Sequence, residues 1–569
     1  MTEKKLELVL LWHLHQPDYR DHATGEFTLP WVYLHALKDY SDMAWHLERH
    51  PEMHAIVNLV PVLLDQIEDY VDQFASGKLR DPLLRLLAAP DLQALTADQR
   101  RLIFESCFRS NQETMIEPFP PYRRLQAVYR TLAAEGEGAL LYLSAQYLSD
   151  LLTWYHLSWT GESVRRTSET ITRLRAQGAG YDHADRNQLF DVIGRLIKGL
   201  IPRYKALAES GQIELSMTPH GHPLAPLLID FATAREALPD IRLPQATKYP
   251  DGRSRVAAHI ASAIASHTRR FGAPPVGVWP AEGALSSELL EVLAQRGVSW
   301  VAGGEKTLAN SLQASPKNTA SSARRRSDWL YRPYRLRGAD GPACFFRDDR
   351  LSDLIGFEYR RWHGRDGALD FVRELEDIVR RTKGETPALV SVILDGENAW
   401  EYYPYNGHYF LSELYEVLQS HAAIRTTTYR DYLAREGSRR VAELPALCAG
   451  SWVYGTFSTW IGDHDKNHAW DLLCEAKQSY DLVLVNGSLT DAEREVAERQ
   501  LADCESSDWF WWFGDYNPQA SVASFDRLFR AKLGNLYRLL KLPTPAQLAE
   551  PISRGGGRPE AGGTMRRTS

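Results

Sequence analysis

Two acidic residues stand directly after short apolar runs that read as strands: Glu282 in GVWPAEGA and Asp395 in SVILDGENAWEYY. A carboxyl group at the exit of a buried strand is costly to desolvate unless it is paired or put to use. The two are 113 positions apart (395 − 282), so they come from different strands and meet only if the fold gathers the strand ends. Two carboxyl groups about 5–5.5 Å apart can cleave a glycosidic bond with retention, one as nucleophile and the other as general acid and base. The same side chains could instead cap helices or pair with arginine.

Histidines form the second group. His13 and His15 follow the first apolar run, and His220 and His222 follow QIELSMT. They can hydrogen-bond sugar hydroxyls. His-x-His with a carboxylate is also a zinc set, so a zinc-dependent mannosidase-like or deacetylase-like enzyme using His13, His15 and an Asp stands as an alternative. Further candidates for substrate contact are Trp279, Glu397 and Trp400 beside the two acids, and Asp353 in FRDDRLSDLIGF, which also offers Arg347 as an ion-pair partner. Trp460 and Asp463 in GTFSTWIGDHDKN, and Asp508 and Trp509 in SSDWFWWFGD, complete the set. Asp463 reads equally well as a helix N-cap, and at least one of these tryptophans as core packing.

Residues 6–12, 55–62, 212–218, 275–279, 298–302, 343–347 and 388–394 are the apolar runs that would carry these groups. From 212 onward they alternate with helical periodicity at 254–271, 286–296 and 367–382. That alternation implies a parallel α/β sheet, closed or nearly closed into a barrel, and barrel enzymes gather catalytic groups at the C-terminal ends of their strands. Residues 63–210 read mainly as helices, an insertion too long for a βα loop. Residues 305–327 read as a polar mobile loop. After about residue 435 the alternation stops and helices follow at 467–480, 491–501 and 522–540. The expected organisation is a catalytic barrel over 1–435 with its helical insertion, a helical domain over 436–542 completing the cleft, and a disordered tail over 543–569 containing GGGRPEAGG.

Composition narrows the classes. Hydrophobic residues make up 44% and charged residues 24%, enough for a sizeable core. A net charge of -7 argues against a nucleic-acid partner. The 16 Trp and 26 Tyr suit either stacking on sugars or an aromatic core. Five scattered cysteines without a CxxC fit a reducing cytoplasm and give no thiolate zinc site. The apolar run near the N-terminus is too short to span a membrane and lacks a cleavage site, so a cytoplasmic protein without a membrane partner is expected.

The order of motifs resembles glycoside hydrolase family 57, the α-amylase, amylopullulanase and 4-α-glucanotransferase group. Five signature regions occur in sequence: HQP at 15–17, GHP at 221–223, WPAEG at 279–283, DGEN at 395–398 and TFSTWIGD around Trp460. The resemblance implies an incomplete seven-stranded (β/α) barrel, a TIM-like fold followed by an α-helical domain. It also implies a retaining enzyme on α-glucans such as maltooligosaccharides, working without metal or cofactor. The nucleophile of the family falls on Glu282 and the acid/base on Asp395, with His15 and His222 near the cleaved sugar. DGEN looks closer to amylopullulanases and related amylases than to branching enzymes. TPHGHP departs from the pattern, carrying His-Gly where an aromatic precedes the matching histidine. A 4-α-glucanotransferase with the same two acids and an inactive glucan-binding protein remain as alternatives.

Overall fold

The structure is a computed structural model describing residues 5–314, 325–382, 387–437 and 440–557. Strand β1 (Leu6–Leu14) is buried along its whole length. A strand sends alternate side chains to opposite faces, and here both faces are covered. Val9 and Leu11 point to one small core with Ile56, Trp300, Phe345, Leu389 and Ile393. Leu8, Leu10 and Trp12 join the much larger core shared with the surrounding helices. An unbroken apolar run is the pattern expected of a strand buried on both sides.

The other strands of this ring are β2 (Ala55–Leu59), β3 (Ile213–Ser216), β4 (Gly277–Val278), β5 (Trp300–Gly303), β6 (Ala343–Phe346) and β7 (Ala388–Asp395). β1 pairs in parallel with β7 and with β2, β2 with β3, β4 with β5, and β5 with β6. Single parallel bridges close the circle, Met217 to Val278 between β3 and β4 and Arg347 to Ser391 between β6 and β7. The fold is therefore α/β, a barrel of seven parallel strands with many helices, incomplete in having one strand fewer than the eight of a full (β/α) barrel. The strand Ile424–Thr426 pairs with the lower half of β1. Behind it, Tyr429 stacks on Phe345 at 3.9 Å, and Glu214 accepts hydrogen bonds from Trp300 Nε1 at 2.7 Å and Arg430 N at 3.0 Å. These groups close the N-terminal end of the barrel, leaving the other end for the site.

Helices run from Pro61–Ser76 to His183–Glu209 between β2 and β3. After the barrel come α1 (His464–Val485), α2 (Asp491–Cys504), α3 (Asp508–Trp512) and α4 (Gln519–Leu539). Asp463 is the N-cap of α1, accepting from the N–H groups of Asp465 and Lys466. Thr490 and Glu493 form a reciprocal capping box at the start of α2. Two expectations are corrected here. Residues 305–313 form a helix, Glu305–Gln313, rather than loop, while 315–324 lie outside the described residues. The tail packs as far as residue 557: Leu548 and Ile552 are buried, and Asp526 accepts from the N–H groups of Ile552 at 2.7 Å and Ser553 at 3.2 Å. Two isolated apolar anchors and one buried carboxylate outweigh the glycine-rich composition; residues 558–569 lie outside the described residues. Among the described residues, no helix is long and apolar enough to cross a membrane.

One buried strut fixes α2 and α3 to the barrel. Glu505, fully buried between them, accepts from Arg255 Nε at 2.8 Å and Nη2 at 2.9 Å, from Tyr249 Oη at 2.6 Å, and bonds His259 Nε2 at 2.7 Å. Burial alone would raise its pKa; the charge of Arg255 and the bond from His259 overcome this and bring it down to about 2. Glu505→Gln is expected to cost about 3 kcal/mol, since breaking a buried pair strands its partner, measured as a lower urea midpoint at pH 7. Because the folded pKa lies below the unfolded one, this stability is present above about pH 4.5 and is lost as pH falls toward 2. The two proteins should therefore converge in acid, and equal stability at pH 7 would refute the strut.

Candidate active site

At the C-terminal rim, a cleft with a volume of about 600 Å³ takes in His13, His15, His222, Glu282, Asp395, Glu397 and Asp508. Each motif residue reaches it for a local reason. After β4 the chain turns at WPAEG, where Glu282 itself adopts a left-handed conformation, φ 60° and ψ 20°. A side chain rarely takes that conformation, and such strain concentrates at functional sites. Gly283 follows with φ 57°, and a Cβ there would lie 2.6 Å from the Trp279 ring. The Glu282 carboxylate is held from both sides: Trp452 Nε1 donates to Oε2 and Ser507 Oγ to Oε1, each at 3.1 Å. Burial pushes its pKa up to about 8, helped by the charges of Asp508 and then Asp395, with the Trp452 and Ser507 bonds opposing.

Asp395 is the last residue of β7 and stands opposite His13 in the register of β1. The DGEN motif has a separate reason at each position. Gly396 passes so close to β1 that a Cβ would lie 2.2 Å from Leu14 Cδ2. Asn398 Nδ2 donates to Asp395 Oδ2 at 2.8 Å. Glu397 Oε1 accepts from Gln16 of the HQP motif at 3.3 Å, while its Oε2 is buried with no hydrogen-bond partner among the described residues. Burial raises Asp395, with Asn398 and the charges of His15 and Arg347 opposing. Burial, followed by the Asp395 charge, raises Glu397 well above the carboxylate range.

The histidines build a directed chain. His13 Nδ1 meets Asn58 Oδ1 at 2.7 Å, His13 Nε2 meets His222 Nε2 at 3.2 Å, and His222 Nδ1 meets Ser507 Oγ at 2.9 Å. Burial, then the His15 charge, lowers His13 to about 3 and takes His222 well below its usual value. Two neutral rings carry one N–H each. Asn58 Nδ2 donates to Ser216 Oγ and its Oδ1 accepts from Thr218 Oγ1, each at 3.0 Å, so Oδ1 faces the ring and His13 Nδ1 carries that ring's N–H. His13 Nε2 then accepts from His222 Nε2–H, and Ser507 Oγ stands between His222 Nδ1 and Glu282 Oε1. His222 has φ 57°, so the GHP turn is strained like the WPAEG turn. Its Gly221 passes the Ala502 carbonyl so closely that a Cβ would lie 2.7 Å from the oxygen.

His15, His222 and Asp508 bring donor atoms within 4.8 Å of one another, but they do not form a zinc site. The His15 and His222 rings stack at 3.7 Å and 13°, and a metal must lie in the plane of each ring that binds it. His15 Nε2 is instead bonded to Asp508 at 2.9 Å. A second group, Asp18, His22 and Asp503, is neutralised by Arg20, 2.5 Å from Asp18, and by Lys532, 3.5 and 3.6 Å from the two acids.

Several residues expected to touch substrate lie away from the cleft. Trp279 is fully buried in the barrel, edge-on to Trp452 at 5.3 Å. Trp400 is buried against Trp12 at 5.8 Å and donates to the Gly396 carbonyl at 3.0 Å. Trp460 packs beneath Trp511 at 5.8 Å, and Trp509 against Phe529 at 5.8 Å. Asp463 is spent as an N-cap. His220 bonds Asp65 at 2.9 Å, and Asp353 pairs with Arg347 at 3.3 Å. Large rings gain more by filling the core than by meeting water, and the acids find nearer partners. The residues missed are Trp452, Ser507, Asn58 and, as a site residue, Arg347. The Arg347 guanidinium lies over the Trp452 ring at 5.5 Å. Adjacency to Asp508 was the one signal for Ser507.

Residues 9–445 match Glycosyl hydrolase family 57. The chain belongs to that family, whose members are retaining enzymes acting on α-glucans. No curated protein matches it. Among solved structures it is similar to a branching enzyme of the family from Thermococcus kodakaraensis, crystallised with glucose, at 16% identity and a TM-score of 0.57, covering 96% of this chain and 94% of that one. An α-amylase from Thermotoga maritima gives 13% and 0.55, covering 94% and 93%. A 4-α-glucanotransferase from Thermococcus litoralis gives 14% and 0.51, covering 94% of this chain and 60% of that one. At these identities the likeness establishes the fold.

Trp452→Phe removes a donor to the charged form of Glu282. Its pKa should rise further, by ~1 unit for one hydrogen bond to a charged group. Carboxyl-stretch difference infrared against Glu282→Gln would follow that titration; an unmoved midpoint in a folded variant would show that Trp452 does not hold the carboxylate.

Proposed function

We propose that the chain is a retaining glycoside hydrolase of α-amylase or amylopullulanase type, cleaving α-1,4 and also α-1,6 bonds of α-glucans, with Glu282 as nucleophile and Asp395 as general acid/base. The observation that carries this reading is the pair itself: two carboxyl groups from β4 and β7 on one cleft, each raised by burial, the charge of one felt by the other. Like charges sharing a buried site cannot both ionise cheaply, so the pair retains a proton. Glu282 has two side-chain donors and Asp395 has one. Donors favour the ionised form, which supports Glu282 as the member that gives up the proton, although burial and the charges of Asp508 and Asp395 push its pKa up to about 8; the reaction begins from the state with the proton on Asp395. Asp508 is less suited to the acid role, since His15 and Ser506 already occupy its oxygens.

Ionised Glu282 attacks the anomeric carbon while Asp395 gives its proton to the departing glycosidic oxygen. Asp395 then takes a proton from water as it attacks the glycosyl-enzyme, and the product leaves with its configuration retained. A sugar hydroxyl in place of water makes the same site a 4-α-glucanotransferase. Trp511, Trp512 and Phe525 on the cleft wall favour that second reading, because aromatic faces hold an acceptor sugar and exclude water.

Glu282→Gln should cut turnover on the order of 10³-fold or more without lowering the melting temperature. The pH profile of kcat/KM should be bell-shaped, its acid limb set by ionisation of Glu282. Products from maltoheptaose, pullulan and glycogen decide the type: short reducing sugars for a hydrolase, a ladder of longer chains for a transferase. Undiminished activity in a folded Glu282→Gln variant would end the assignment.

A further inference from the structure

We propose that His35 is a substrate-contacting residue that reads one glucosyl unit at a wall of the cleft away from the side chains that bond the two carboxyl groups; this rests on the α-glucan reading above. His35 ends the helix Trp31–His35, where the chain widens into a π-turn over Ala36–Tyr40. Such turns are rare and recur at functional sites. The ring lines the cleft together with Trp31, Trp159, Glu401 and Tyr402. None of these sets the ionisation of Glu282 or Asp395.

The ring is held in one state. Asp39, fully buried, meets His35 Nδ1 at 2.7 Å through Oδ2 and accepts from Lys38 Nζ through Oδ1 at 2.5 Å. A carboxylate can only accept, so Nδ1 carries an N–H and Nε2 is the ring atom turned to a ligand. Lys38 is anchored in turn by Asn406 Oδ1 at 3.1 Å and lies over the Trp159 ring at 5.3 Å. Trp159 stands perpendicular to the imidazole at 5.4 Å and keeps it from swinging. Burying a lysine and an aspartate is weak support for a fold; here the pair's effect is to orient one imidazole at a cleft wall.

The chemistry presented is that of a sugar site. Nε2 bonds one hydroxyl. Glu401, a partly buried carboxyl near Lys38 and His35, bonds a neighbouring one. Trp31, half-buried and 6.5 Å from the imidazole, supplies an apolar face. Arg109, Ser110 and Asn111 of the helical stretch between β2 and β3 close this part of the cleft. A unit held by this wall is one more than the unit at the two carboxyl groups, so its recognition should appear as a dependence on chain length.

The test compares kcat/KM on maltoheptaose and maltotriose for the full-length protein and for His35→Ala, His35→Gln and Asp39→Asn. The heptaose-to-triose ratio is expected to fall about tenfold in both His35 variants, the order lost with one hydrogen bond to a substrate, and less in Asp39→Asn, a positioning residue, whose loss should appear in KM rather than kcat. An unchanged ratio in folded His35→Ala and His35→Gln would overturn the proposal. Calorimetric binding of the two sugars to Glu282→Gln, with and without His35→Ala, separates the two readings. If the wild type cleaves neither sugar, the function assigned above has failed, and His35 is still judged by whether its loss weakens maltoheptaose binding more than maltotriose binding. No such difference would sink it.

Discussion

Glu282, Asp395 and Asp508 line one cleft together, and the repulsion that buried Glu282 feels from the other two is the constraint around which the rest of the site is arranged. Unpaired charges in such a place would be expelled or neutralised. The three are compensated unequally. Asp508 has His15 and Ser506. Glu282 has Trp452 and Ser507, both neutral donors. Asp395 has Asn398, with more distant help from His15 and Arg347. Under the proposed roles the two neutral donors of Glu282 hold the negative charge and Asp395 holds the proton.

Holding this arrangement requires contacts from beyond the barrel. The barrel alone supplies Glu282, Asp395 and the histidines, but Ser507 and Asp508 come from the start of α3, and Trp452 from the loop before α1. The Glu505 strut places α3, and its partners Arg255 and His259 lie on the helix Gly252–Phe271. His259 also accepts from the N–H of Gly221, next to the strained His222. One buried network thus sets both the helical arm that braces the carboxylate and the turn that delivers the histidine. The two left-handed residues, His222 and Glu282, are held at either side of Ser507.

How much of this could be read from the sequence follows from which physical signals are unambiguous. The seven ring strands were legible because burial on both faces leaves uninterrupted apolar runs, and the polar groups at their exits then stand out. Short pieces such as Ile424–Thr426 carry too few residues to show a pattern. Within the site, acids and histidines at strand ends were legible because they are costly to bury without cause. Trp400, Trp460 and Trp509 were misplaced because an indole gives the same signal in a core as beside a sugar. His220 and His222 differ only in what folds against them, Asp65 in one case and Ser507 in the other. Trp452 and Ser507 were missed because neither residue type implies chemistry until it is seen 3.1 Å from a carboxylate.

The cleft's two kinds of wall follow different logic. Around Glu282 and Asp395 the motifs interlock: Gln16 of the first reaches Glu397 of the fourth, and His13 beside the first reaches His222 of the second. Motifs far apart in the chain are thus held in one rigid set of contacts. Around His35 the contacts come from a π-turn and from the helices between β2 and β3. Those helices can vary without disturbing the proton or the nucleophile. Under the proposed roles, bond cleavage belongs to the interlocked rim, and the number of sugar units recognised to what is inserted between the strands. Enzymes of this architecture with different products can then share one pair of acids and differ mainly in the walls that flank it.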